Sequence, residues 1–126
     1  MKLIIKRLIL FATLLFNFLS ADDGKLLFYG NCIACHGELG KPSAPHLSEV
    51  KGYYMMKYPK KEDFVENLAK WVFKPNEESA LLPDAIKKYK LMPYLSIDLD
   101  TLTKIATYIY ENDDFGVRDS LSNPSH

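Results

Sequence analysis

No stretch of this chain alternates apolar and polar residues for long enough to form a sheet, no segment repeats, and no low-complexity block interrupts it. What remains is an all-α domain. An excess of positive charge is also missing: 16 basic side chains face 16 acidic ones. Without a basic footprint a nucleic-acid partner is not expected. Cysteine is scarce, with two in 126 residues, so at most one disulfide could brace a domain of a size at which surface outweighs core.

The first stretch, MKLIIKRLILFATLLFNFLSA, differs from the rest. Lys2, Lys6 and Arg7 precede an apolar run from Leu8 to Phe16, and the small residues Ser20 and Ala21 follow. This is the layout of a secretory signal peptide, removed after Ala21. The run is short of the ~20 residues a membrane span requires, so the mature chain is expected to have no integral span. No cysteine follows the cut to take a lipid. Residues 22–126 keep 13 of the 16 basic and all 16 acidic side chains, a formal charge of −3. Three segments are therefore expected: a leader over 1–21, a domain over 22–113 and a loose polar tail over 114–126.

Both cysteines lie in NCIACHGE, residues 31–38, beside one of the three histidines. A dithiol redox motif has this cysteine spacing, but normally opens a helix after a buried strand, and no strand pattern precedes Cys32. A structural zinc site needs four ligands, and Cys32, Cys35 and His36 supply three at most, with His46 as a distant fourth. The third reading gives each residue its own task. Cys32 and Cys35 add across the two vinyl groups of a haem, and the adjacent His36 reaches the iron; Cys-x-x-Cys-His is the attachment signature of c-type haem. The motif occurs once, so one covalently bound haem c is expected. Attachment outside the cytoplasm agrees with the leader.

Iron held by one histidine in a low-spin carrier needs a sixth ligand, and a methionine thioether is one option. Met1 leaves with the leader. Met92 lies in YKLMPYL, where Pro93 stiffens the chain immediately after it; it is the preferred ligand. Met55 and Met56 in KGYYMMKYP read as core filler, with His46 a further alternative and His126 solvent. The second ring nitrogen of His36 should donate to a fixed acceptor, and the Pro45 carbonyl in KPSAP is the candidate. Trp71 reads as core, or as an indole donor to a haem carboxylate. Lys41, Lys57, Lys60 and Lys61 could steer an acidic partner, against the plainer reading of solvated surface.

Helical patterns place these residues. One helix starts near Asp22 and carries Gly24 and Phe28 on one face; the glycine suits a close helix crossing. Lys60–Lys74 repeats apolar residues at Phe64, Leu68, Trp71 and Val72, and Pro75 stops it. Glu77–Tyr89 makes a short helix with Leu81, Leu82, Ala85 and Ile86 inward. Asp98 caps a last helix whose stripe is Leu102, Ile105, Ala106 and Ile109.

With these residues assembled, the chain resembles the class I cytochrome c family, and within it the small bacterial periplasmic monohaem type. The resemblance rests on Cys32-Ile33-Ala34-Cys35-His36, on Gly24 and Phe28 eight and four residues before Cys32, on Ile105 and Tyr108, and on Met92-Pro93. It implies several short helices wrapped around one covalent haem with His36 and Met92 on the iron. It further implies a monomeric periplasmic one-electron carrier, not an enzyme, that docks transiently with redox proteins. Two alternatives stay open: a haem subunit of a larger redox enzyme, and a haem enzyme or gas sensor with a displaceable sixth ligand. KGYYMMKYPKKEDFVENLAKWVFKPNEES is longer than the simplest members carry, and it brings Met55 and Met56.

Overall fold

The computed structural model describes residues 1–16, 20–37 and 43–115. Among these the chain is all-helical, in the order α1 Lys2–Phe16, α2 Ser20–Asn31, α3 Ile33–His36, α4 Leu47–Lys57, α5 Lys61–Phe73, α6 Pro83–Tyr89 and α7 Leu99–Glu111. Helix α7 is the centre of the packing, with α5 on one side and α2 on another.

Where α2 meets α7 the two backbones nearly touch. A Cβ on Gly24 would lie 2.8 Å from the Lys104 carbonyl oxygen and 3.2 Å from Tyr108 Cβ, so only glycine lets the helices approach this closely. One turn further on, Phe28 is at 0% exposure, with ring centroids 5.2 Å from Tyr108, 5.3 Å from Tyr29 and 5.6 Å from Phe115. Phe115 is thus part of the buried core, two residues past the domain boundary expected at Asp113. Residues 116–126, most of the expected tail, lie outside the described residues.

Against the other side of α7, α5 presents Phe64, Val65, Leu68 and Ala69, all buried, to Leu102, Ile105, Ala106 and Ile109. These positions are one, three and four residues apart, the apolar stripes that the helical period makes. Each large side chain so buried contributes about 1.5–3 kcal/mol of transfer free energy. The start of α7 is fixed by Asp98, whose carboxylate accepts from Thr101 N–H at 2.9 Å and from the Thr101 hydroxyl at 2.8 Å. Its end is fixed from α4: Lys51 Nζ donates to the carbonyls of Tyr110 (2.9 Å) and Asn112 (2.7 Å) and to Asp113 Oδ1 (2.7 Å). A cation at this terminus complements the helix dipole.

Two elements differ from the sequence expectation. Helix α4 falls in the aromatic-rich stretch, where no helix was expected, because apolar residues on all sides of it mask its period: Leu47 and Tyr54 are buried, whereas Tyr53 is 44% and Met56 75% exposed. Met56 is therefore not core filler; Met55 does pack against the core. Helix α6 begins at Pro83 rather than Glu77. A proline ring disfavours helical backbone in the residue before it, and Leu82 sits at φ −120°, ψ 69°, so a helix can start at Pro83 but cannot run through it.

Helix α1 is basic in its first half, with Lys2, Lys6 and Arg7, and apolar from Leu8 onward; among its described side chains none is buried, and Leu3, Leu10 and Phe11 are each at least 66% exposed. No helix of the described residues is long and apolar enough to cross a membrane.

Candidate functional site

Helix α2 ends at Asn31, and the chain then makes the single turn of α3. The amides of Cys35 and His36 both bond to the Cys32 carbonyl, at 3.3 and 3.0 Å. In a helical turn residues three and four apart share a face, so Cys32, Cys35 and His36 all border one cavity. Ile33 and Ala34 do not. Gly37 lets the turn end: a Cβ there would lie 2.4 Å from the Ile33 carbonyl oxygen.

The cavity has a volume of about 360 Å³, within the range of small-molecule sites. Its lining is largely apolar. Helices α5 and α7 form one wall through Leu68, Trp71, Ile105 and Ile109. On other sides are α6, through Ala85 and Ile86, and the segment between α6 and α7, which contributes Met92, Leu95 and Ile97. The cavity thus brings together all six residues singled out in the sequence: Cys32, Cys35, His36, Pro45, Trp71 and Met92.

His36 Nδ1 lies 2.7 Å from the Pro45 carbonyl oxygen. A carbonyl can only accept, so Nδ1 carries the proton and donates, and Nε2 keeps its lone pair. Burial pushes the His36 pKa below its ordinary value of 6.5, and the Pro45 hydrogen bond pulls weakly the other way. The ring is therefore neutral at pH 7, the form that ligates a metal. Trp71 lines the cavity, but its indole Nε1–H donates to the Asn76 carbonyl at 3.1 Å, a different acceptor from the carboxylate considered above.

Both cysteines are free thiols. Burial, with the neighbouring Cys35 adding to it, pushes the Cys32 thiol up to about 11. A redox-active dithiol needs a depressed pKa to supply thiolate, so the electrostatics oppose that reading. Among the described residues no three of His, Cys, Asp and Glu gather as a metal site, which leaves zinc without its ligand set. An imidazole with a free Nε2, a thioether and two thiols around an apolar slot do fit a flat, apolar, iron-bearing macrocycle.

The other candidates lie elsewhere. His46 is exposed at the head of α4, and neither it nor Met55 nor Met56 borders the cavity. Lys57, Lys60 and Lys61 sit at the junction of α4 and α5, with Lys61 paired to Glu111 at 2.5 Å; none borders the cavity, and Lys41 lies outside the described residues. Sequence reasoning missed Tyr54 and Lys90, which both line the cavity. For Tyr54 the signal was present: Leu47, Val50 and Tyr54 recur at three- and four-residue steps, hidden by Tyr53, Met55 and Met56.

A family model described as Cytochrome c matches residues 21–112. The comparison with curated proteins gave no significant match. Nor did that with solved structures.

Proposed function

The chain belongs to the cytochrome c family, a family of haem-based electron-transfer proteins, and from that premise we propose that it is a periplasmic one-electron carrier with a single c-type haem. In this reading Cys32 and Cys35 would hold the haem through thioethers, and His36 and Met92 would ligate its iron. The observation that carries it is the cavity itself, which Cys32, Cys35, His36 and Met92 all line.

When bound, the haem supplies a reversible one-electron couple at iron. The chain's own residues do the rest. Pro45 fixes the tautomer and orientation of His36 through the Nδ1 hydrogen bond, which raises the basicity of the ligating nitrogen. Met92 offers a soft thioether that favours the reduced state and raises the potential. The apolar walls from α5 and α7 keep water away, which acts in the same direction because the neutral environment disfavours added charge. With histidine and methionine both engaged, no vacancy remains for a substrate, which supports a carrier over an enzyme or sensor. Export is supported by the basic and apolar leader and by the exposure of the described side chains on α1, residues 2–12. Partners would be redox proteins engaged transiently through small interfaces.

The test is the optical spectrum of the exported, haem-loaded protein, oxidised and reduced. The oxidised protein should show the weak long-wavelength band of methionine bound to ferric iron, and Met92→Ala should abolish it while Met55→Ala and Met56→Ala leave it. A high-spin wild-type spectrum that binds carbon monoxide readily would instead point to an open-site enzyme or sensor.

A further inference from the structure

The hydrogen bond from His36 to Pro45 joins two limbs of the molecule. His36 belongs to α3, which continues from α2, whereas Pro45 lies one residue before the His46 that begins α4. The amides of Glu49 and Val50 both bond to the His46 carbonyl at 3.1 Å, so Pro45 moves with α4. Neither α2 nor α3 makes a substantial contact with α4 among the described residues. His36 and Pro45 are nine positions apart, a length of chain that can span up to about 30 Å. The connection alone does not set the 2.7 Å between them.

The chain just past α7 reaches both limbs. On the α4 side, Lys51 Nζ donates to the Tyr110 and Asn112 carbonyls and to Asp113 Oδ1, with its side chain only 13% exposed. On the α2 side, Phe115 is 7% exposed and sets its ring against Phe28, one helical turn before Cys32. Leu47 and Tyr54 also hold α4 to the core, but apolar attraction has no direction, so a helix can slide or turn on such contacts. Hydrogen bonds to one ammonium fix both distance and angle. Asp113 and Phe115 lie past residue 112, where the family match ends.

We propose that residues 112–115 act as a strap between the two limbs, and that Lys51 and Phe115 are positioning residues for His36: by holding α4 against α2 they keep the Pro45 carbonyl within reach of the His36 Nδ1 proton. Neither Lys51 nor Phe115 borders the cavity. Both act through Pro45. The proposal rests on the reading of His36 as an iron ligand, because a ligating histidine that loses its Nδ1 hydrogen bond becomes a weaker and less oriented donor.

The experiment follows deuterium exchange of the His36 Nδ1 proton by NMR in the reduced, haem-loaded protein, with the Ile105 amide as internal reference. Ile105 is buried in the middle of α7, so global opening speeds both protons and the ratio of the two rates reports the bond to Pro45. Lys51→Met keeps the aliphatic stem and removes the donors; it should raise the ratio about ten- to a hundredfold, the range for losing hydrogen bonds to a charged group. Phe115→Ala should raise it by at least about threefold. If both variants lower the urea midpoint but leave the ratio within about twofold of wild type, the two residues merely stabilise the fold and the proposal is overturned. A change in the Phe115→Ala ratio without one in Lys51→Met overturns it too. Where either variant fails to load haem, Asp113→Ala decides: it removes only an exposed acceptor and should raise the ratio about two- to fivefold, and an unchanged ratio overturns the strap. Failure of the underlying ligation is distinguishable, because the wild-type His36 ring protons would then lack the upfield shift that a haem imposes on an imidazole bound to its iron.

Discussion

The part of the molecule built from α2, α5 and α7 and the part spanning residues 74–98 are held together in different ways. The first contains most of the buried side chains, including Phe28 and Phe64 at 0% exposure, and its helices touch at glycine distance. The second contains no buried residue at all, and α6 makes no substantial contact with another helix among the described residues. Its apolar side chains, Leu81, Ile86 and Leu95 among them, are half-buried and turned to the cavity. One part is a core in its own right; the other is one wall of a core whose other half is the cofactor. This is how a domain of this size compensates for the surface that outweighs its interior.

The comparison is broken most severely by leaving the cofactor out. In a Cys32→Ser, Cys35→Ser chain, which cannot form thioethers, amide hydrogen exchange across residues 75–98 should approach that of unstructured chain, while α2 and α7 keep measurable protection. Equal loss in both parts would show that the helical core depends on the cofactor as much as the wall does. Within the core, Phe64→Ala should destabilise the loaded protein by about 3–5 kcal/mol, the range for emptying a fully buried aromatic site; urea unfolding measures it. A cost below ~1 kcal/mol would mean that Phe64 is not the packing centre its 0% exposure indicates.

Gly24→Ala sharpens the same contrast at a single atom. Its Cβ would have to displace the backbone of Lys104, which cannot rotate away as a side chain can, so a cost of about 1–3 kcal/mol is expected. Ala at Gly52, whose added Cβ meets nothing within 4 Å, should instead be neutral or slightly stabilising because alanine is the better helix former. A matching loss at both positions would put the cause in helix propensity and not in the α2–α7 crossing.

The two parts also differed in how far they could be read from sequence. The core was legible because helix period and packing coincide in it: the stripe of α7 and the cap at Asp98 are both where the pattern puts them. The cysteine-histidine motif was legible because its spacing is chemical, two thiols and an imidazole on one helical turn that border one cavity. In the wall, pattern and packing part company. Leu81 and Leu82 face the cavity from a non-helical stretch before Pro83, so no period ties them to Ala85 and Ile86, and the helix expected from Glu77 starts only at Pro83. Helix α4 was hidden for the opposite reason, since Tyr53 and Met56 place apolar groups on its solvent side. The positive-φ backbone at Lys90, φ 74° and ψ 170°, has no signature, because lysine is not the residue the conformation prefers.

The smallest expected effect lies at the join between the two parts, where Asp98 ends the wall and begins α7. Its carboxylate accepts two hydrogen bonds from Thr101, first the backbone and then the side-chain bond, and these hold its pKa below the ordinary carboxylate value. A carboxyl whose folded pKa is depressed contributes stability at pH above its unfolded value, near about 3.9, and loses that contribution as pH falls through the lower folded value. At pH 7 Asp98→Ala should therefore unfold at lower urea than wild type, and below pH 4 the gap should narrow as wild-type Asp98 takes up its proton. Comparing the pair at each pH cancels changes elsewhere, including any at His36. A gap that stays constant down to pH 2 would mean that the cap acts through its geometry alone, without help from its charge.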